Sequence, residues 1–547
     1  MSSSAGAEAP EVTSGGLFAR KATGLVRGMP PRSALILNFI PGHPIQTMAA
    51  VLLFALALGP GGNPYLALLI VIPMSLALAY SFGFLTQMIP RSGGDYMLVS
   101  RIIHPAVGYV SVFCMTMATL LSNAFFALAV VTAGVTPLCV AVGLIANKPG
   151  LVTWGQNAST SNFWLVFFGI LMIVFAAVIQ LRGWKWMLRF QNTFFWMVTL
   201  ALVIITAVTL VETNKHFVTR FNTFAQRFTH KPGAYASTIA TAAHNGVPVH
   251  PAFSLSATIP LVAVFATTAI FSYWATFVGG ELRQASTIKT ANNMALGGVI
   301  PLIIVAICTA VFFHTFGGAF LRGANGGGLP SQVSAPGTNF LYLSGISVGS
   351  AAYTFIIFLL YIVYWPLQLY ISSMQQTRAL FAMSFDGVLP KGVTRVNRYG
   401  CPWFALVIAG IASVGVFIYA VVDQTGFFII LVYATLVQLI AMGLVGLTAV
   451  LAPIRRPALY RASTSQKQFL GIPLVQIAGV GAIIVCVFVW WAYLHYAQLG
   501  ANSNIPRMLG WTVGPAVAGA IFYFAAAAYK RSKGKDITLV YKEIPPE

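Results

Sequence analysis

Charge is what this chain of 547 residues has least of: charged residues make up 7%, against roughly 25% in soluble domains, and only ten are acidic. With 58% hydrophobic residues and a mean hydropathy of +0.82, a water-soluble globular domain is excluded. Cysteine is scarce as well. Cys114, Cys139, Cys308, Cys401 and Cys486 are scattered, four of them in apolar runs, with no C-x-x-C pair. That spacing offers neither a disulfide framework nor a thiolate metal centre and leaves small packing residues. The first thirty residues carry no apolar h-region, so a cleavable signal peptide is not expected and targeting falls to the first span. Neither H-E-x-x-H nor G-x-S-x-G occurs, and no enzyme is expected.

What the chain does have is long apolar runs. A membrane helix needs about 20 such residues, and no ten-residue strand alternation repeats, so helices rather than a barrel are predicted. The expected fold is all-α and integral to the membrane, with about twelve spans. They lie at 32–58, 64–89, 105–145, 161–181, 187–211, 257–280, 292–316, 350–377, 402–421, 424–452, 471–495 and 511–529. The run at 105–145 is too long to stand upright, so it tilts or ends outside the bilayer.

The net charge of +21 is explained by where the basic residues fall. With the N-terminus inside, the outer segments keep Lys148, Lys215, Arg220, Arg227, Lys231, Arg322 and Arg507, and the other 24 of the 31 lie inside. That bias predicts a multi-pass plasma-membrane protein with both ends cytoplasmic. Nucleic acid is therefore not an expected partner, whereas membrane lipid is, with Arg455, Arg456 and the tail cluster at 530–535 facing anionic headgroups. Residues 1–31 and 530–547 read as cytoplasmic tails, and 212–256 as a long polar outer loop. A second, Gly-rich outer segment covers 317–349. His216, His230, His244 and His250 fall in the first of these with no acidic or Cys partner beyond Glu212, so no metal site is assigned.

A carrier needs unpaired backbone at membrane depth, and interrupted helices supply it. In the first span, Ile40-Pro41-Gly42-His43-Pro44 contains two residues that lack an N–H and disfavour helical geometry before them, so a break at 40–44 is predicted. The second half-helix would then aim its positive end at a carboxylate. In the sixth span, Phe271-Ser272-Tyr273-Trp274-Ala275 interrupts the apolar run, and Gly279-Gly280 weakens the helix toward the inner face.

After the second span, Pro90-Arg91-Ser92-Gly93-Gly94-Asp95-Tyr96 is similar to the P-R-S-G-G-x-Y signature of amino acid-polyamine-organocation transporters. After the eighth, Thr377-Arg378, Ala382 and Asp386-Gly387-Val388-Leu389-Pro390 resembles that family's S-R-x-x-x-A-x-x-x-D-G-x-x-P pattern. The resemblance implies a leucine-transporter-type fold. Two five-helix inverted repeats, 32–211 and 257–452, would have broken first and sixth helices, followed by two additional C-terminal spans within 453–529.

It further implies that Ile40, Pro41, Gly42 and His43 receive a substrate carboxylate and that Phe271, Ser272, Tyr273, Trp274 and Ala275 offer carbonyls and aromatic cover to an amine. Arg91, Gly93, Gly94, Asp95, Glu281, Arg378, Asp386 and Gly387 would form the gating and inner-loop motifs. The chain departs from the family in having Pro-Gly-His-Pro where relatives have G-S-G-I, and in lacking a Lys in the fifth span.

No charged residue is expected near the bilayer midplane, which favours a zwitterion over a polyamine or an anion. The expected function is secondary transport of amino acids, ion-coupled or by exchange. A ligand sensor on the same fold and a carrier of a nucleobase or polyamine are the alternatives. No cofactor is expected; the coupling ion would be H+ at His43, which titrates in a useful range, or Na+ at Ser372 and Ser373. Oligomeric state has no signature in the sequence.

Overall fold

Hydrocarbon offers no water to an unpaired N–H, so each apolar run closes its own hydrogen bonds as helix. The structure, a computed structural model, describes residues 27–334 and 340–544. Eleven helical segments in it are long and apolar enough to cross a membrane. The interrupted segment 32–58 makes a twelfth. Apart from a minute hairpin pairing Gln468–Phe469 with Ile472–Pro473, the described residues contain no strand pairing longer than an isolated bridge.

The third span runs unbroken from Pro105 to Ile145, about 60 Å at 1.5 Å per residue, and so projects beyond the bilayer. A π-helical turn at Val130–Val135 lies just before Pro137, whose missing N–H would leave a carbonyl of the preceding turn unpaired. The third span packs on the eighth, ninth, tenth and twelfth, which makes it a central post. The eighth continues to Phe385, eight residues past its expected end, so Arg378 lies in helix rather than loop. Its regular bonding lapses at Val363, ahead of Pro366, for the same reason.

Both outer segments expected as loops are helical in part: Asn214–Thr229, Ala234–His244, Gly318–Asn325 and Phe340–Val348. Phe217, Phe221 and Phe224 fall on one face of the first of these. Phe217 meets Phe316 at 4.7 Å between ring centroids, Phe221 meets Phe320 at 4.9 Å, and Tyr235 stacks on Phe320 at 4.5 Å. This aromatic cluster roofs the C-terminal end of the seventh span. Within the expected N-terminal tail, Met29 pairs with the chain beyond the sixth span through Met29 N–H to Glu281 O (3.0 Å) and Arg283 N–H to Met29 O (2.8 Å).

Candidate functional site

The first span is helical over Arg32–Phe39, stops, and resumes at Pro44–Gln46. Pro41 and Pro44 contribute no N–H, and the His43 N–H turns back to Ile40 O at 3.1 Å. The Gly42 N–H alone is left without an acceptor among the described residues. Two of the break's carbonyls are occupied by side chains: Gln368 Nε2 donates to Ile40 O (3.2 Å) and Tyr364 Oη to Pro41 O (3.4 Å), while Gln368 Nε2 also meets Tyr364 Oη. Two residues of the eighth span therefore hold the open strand of the first.

The sixth span is regular over Leu255–Ala269 and breaks there, earlier than its glycines suggest, before a 3-10 turn at Trp274–Phe277. The N–H groups of Phe271, Ser272 and Trp274 have no acceptor among the described residues, and neither does the indole N–H of Trp274. The first break thus offers one free backbone donor and the sixth three, with the Trp274 indole as a fourth. The Ala275 N–H is taken by Asn38 Oδ1 (3.0 Å), and Asn38 Nδ2 reaches Met294 O at 3.4 Å. Tyr273, fully buried, is held by Gln438 of the tenth span.

The two breaks meet at Gly42. A methyl group there would lie 3.0 Å from Thr268 O, a tight contact that any larger residue would relieve by pushing the two breaks apart. No donor to Thr268 O is present among the described residues, so an unpaired N–H and an unpaired carbonyl stand side by side. Gly42, Thr267, Thr268 and Phe271 are half-buried, while Ile40, Pro41 and His43 are buried.

His43 caps the second half-helix. Its Nδ1 accepts the Ile45 N–H (3.3 Å) and its Nε2 faces Thr199 Oγ1 (3.1 Å), whose own hydroxyl donates to Phe195 O (2.8 Å). These partners assign the neutral tautomer protonated on Nε2. Ser373 Oγ donates to Leu369 O (2.7 Å), and Ser372 Oγ meets Asn123 Oδ1. Asn123 Nδ2 in turn reaches Gln376 Oε1 (3.2 Å) and Ser413 Oγ (2.9 Å), so Ser372 belongs to a buried amide and hydroxyl cluster shared by the third, eighth and ninth spans.

At the end of the bundle that carries residues 90–96, Gly93 and Gly94 have φ of +123° and +59°, and a methyl group on Gly94 would strike the Phe277 ring at 2.1 Å. That conformation lets Gly93 N–H bond Phe277 O (3.2 Å), with Ser92 bridging to Val278. Arg91 is half-buried and donates to Pro90 O (3.1 Å). Glu281 makes a two-pronged ion pair with Arg378, Nε to Oε1 3.0 Å and NH2 to Oε2 3.1 Å, both residues buried.

A second buried pair joins Arg101 NH2 to Asp386 Oδ1 at 2.6 Å, and Tyr96 Oη donates to Asp386 Oδ2 at 2.7 Å. Gly387 follows in the turn, its N–H on Ser384 O. Asp95, beside this cluster, accepts from Ser111 Oγ at 2.6 Å, and burial pushes its carboxyl up to about 7. The C-terminal turn Ile537–Lys542 completes the cluster: Tyr541 Oη lies 3.1 Å from Tyr96 Oη and 3.3 Å from Tyr109 Oη, under the Arg101 guanidinium.

Several contributors were missed by the sequence reading. Asn38 and Gln368 carried a signal, because a polar side chain inside an apolar run must find a partner. Thr199, Thr268, Tyr364 and Tyr541 carried none, since only the tertiary arrangement brings them to the site.

Residues 33–517 match the family described as amino acid permease. No curated protein matches the chain in sequence. Among solved structures, the crystal structure of MhsT in complex with L-phenylalanine is similar, at 13% identity and a TM-score of 0.53, over 86% of this chain and 99% of that one. The similarity is one of fold: a leucine-transporter-type arrangement of two five-helix repeats with broken first and sixth spans, followed by two further helices.

Proposed function

The chain belongs to the amino acid permease family, and from that premise we propose that it is a secondary transporter moving a small zwitterionic amino acid across the membrane by alternating access. The observation that carries this reading is the close approach of Gly42, whose N–H is unpaired, to the unpaired Thr268 O between two broken helices. A zwitterion brings one group that needs donors and one that needs acceptors. Its carboxylate takes the Gly42 N–H together with the N–H groups at 271, 272 and 274, and its ammonium takes Thr268 O. Phe271 and Trp274 supply apolar cover for a side chain.

Alternating access follows from what must move. The first span and the sixth share Asn38, so they shift as one body against the post formed by the third and eighth spans. The ion pair of Glu281 with Arg378 and the docking of 91–93 on 277–280 shut the inner side, and they part when the site faces inward. The repeats are 32–211 and 257–452, and the basic bias favours both ends in the cytoplasm, with the protein in the plasma membrane.

Coupling is assigned to a proton at His43 rather than to sodium. The carbonyls of Ile40 and Pro41 and the hydroxyls of Ser372 and Ser373, which a sodium ion would use, already have protein partners. His43 Nδ1 has room for a proton only by giving up the Ile45 N–H, which ties protonation to the shape of the break. Counterflow in liposomes tests the whole reading. Protein preloaded with unlabelled amino acid should accumulate labelled amino acid saturably and without sodium. Ligand binding with no movement identifies a sensor instead.

A further inference from the structure

On the face of the molecule that carries the C-terminal turn, a cavity of about 310 Å³ is lined by Arg101, Arg455, Arg456 and Lys542, with residues 457–459, Glu543 and Ile544 among the rest of its wall. Its arginines are built into the fold. Arg455 NH1 donates to Ile103 O (2.9 Å) and Arg456 Nε to Arg101 O (2.9 Å), so two guanidiniums are fastened to the backbone around the third. Arg101 is 3% exposed. Its NH2 is used by Asp386 and its NH1 by Ser100 Oγ (2.8 Å), but its Nε has no partner among the described residues. Four cations around one cavity repel, and Asp386 is already engaged, so among the described residues Glu543 is the single carboxylate in the lining to offset them.

We propose that this cavity binds a phosphate-bearing anion, the headgroup of an anionic phospholipid. Guanidiniums fastened by one nitrogen keep other nitrogens for a phosphate, whose geometry they match in pairs. The depth fits a headgroup. Arg455 ends the tenth span, Pro457–Ala462 lies across its end, and the acyl chains would enter the bilayer beside that helix. The basic cluster Lys530, Arg531, Lys533 and Lys535 precedes the C-terminal turn in the chain and adds to its positive charge. Since Lys542, Glu543 and Ile544 form one wall and Tyr541 sits on Tyr96, the site is complete only when the C-terminal turn is docked against the inner motif. The anion would thereby hold that turn in place.

The test is a titration of the full chain, purified in neutral detergent, with short-chain phosphatidylglycerol, short-chain phosphatidylcholine and inorganic phosphate, followed by thermal unfolding and by native mass spectrometry. Phosphatidylglycerol should raise the unfolding midpoint saturably and phosphatidylcholine should not. Arg455→Gln/Arg456→Gln should weaken the apparent affinity tenfold or more, and Lys542→Glu, at the rim where folding is not at stake, at least fivefold. Lys533→Gln/Lys535→Gln, outside the cavity, should change it less than twofold. An equal shift with inorganic phosphate, also lost in the Arg455→Gln/Arg456→Gln and Lys542→Glu proteins, keeps the site and makes its ligand a soluble anion. Equal shifts from the two lipids, or a phosphatidylglycerol shift unchanged in Lys542→Glu, would overturn the proposal.

Discussion

Asn38 Oδ1 accepts the Ala275 N–H at 3.0 Å, so a side chain of the first span completes the hydrogen bonding of the sixth, 237 residues away. Neither broken helix is self-sufficient. Replacing Asn38 with Leu removes the acceptor and strands a buried N–H, a loss of about 1–3 kcal/mol. Uptake by Asn38→Leu should fall at least tenfold. A variant that transports normally would show that the two spans do not move together.

Glu281 and Arg378 are buried where the chain leaves the sixth span and the eighth span nears its C-terminal end. Removing one partner of such a pair leaves an uncompensated charge and costs about 3–5 kcal/mol. Glu281→Gln should therefore lower the thermal midpoint strongly, and Glu281→Gln/Arg378→Met should recover much of the loss. If the double variant were no more stable than the single, the pair's role would be something other than charge compensation.

Asp95 gives a pH test. Its carboxyl is pushed up to about 7 from an ordinary value of 3.8 by burial, so the neutral form is the one the fold favours. The stability it contributes is full below about pH 4 and is lost as pH rises through 7. The wild-type midpoint should drop by several degrees between pH 5 and 8, and Asp95→Asn, fixed in the neutral state, should flatten that part of the profile. A profile identical in the two proteins would contradict the assignment.

Tyr541 binds the C-terminal turn to Tyr96 and Tyr109 and lies beneath Arg101. Ending the chain after Asp536 removes Ile537, Val540 and Tyr541 from a buried cluster and lets water reach the Arg101 and Asp386 pair. Amide exchange across Gly94–Ile102 should rise at least tenfold in the shortened protein, and the rest of the molecule should change little. Unaltered exchange there would mean that the turn is not held at the inner motif.

How far the sequence could be read depends on which residues act alone. Pro41 and Pro44 break a helix by their own covalent structure, so the first interruption was legible before any partner was known. Gly93 and Gly94, in a motif shared with the family, mark a turn for the same reason. The polarity of the breaks was not legible. The first appeared to be the donor-rich one, but its prolines withhold two N–H groups and the eighth span covers the carbonyls of Ile40 and Pro41, which leaves the sixth as the main donor. His43 looked like a binding residue, yet the fold uses both of its nitrogens, as cap and as tie to Thr199. The outer segments read as polar loops because Phe217, Phe221 and Phe224 find their apolar partners in a segment about 100 residues later.

The central claim is that an amino acid is held between Gly42 and Thr268. It is tested most directly by equilibrium binding to wild-type and Gly42→Val protein in a thermal unfolding screen over amino acids and their amine-only analogues. At 100 times its dissociation constant, a bound amino acid should stabilise the wild type by about 2.7 kcal/mol, and the analogue lacking a carboxylate should not. Gly42→Val, folded and monodisperse but with its breaks pushed apart, should show no stabilisation by either. Equal stabilisation of both proteins by the amino acid would place the substrate elsewhere and contradict the account.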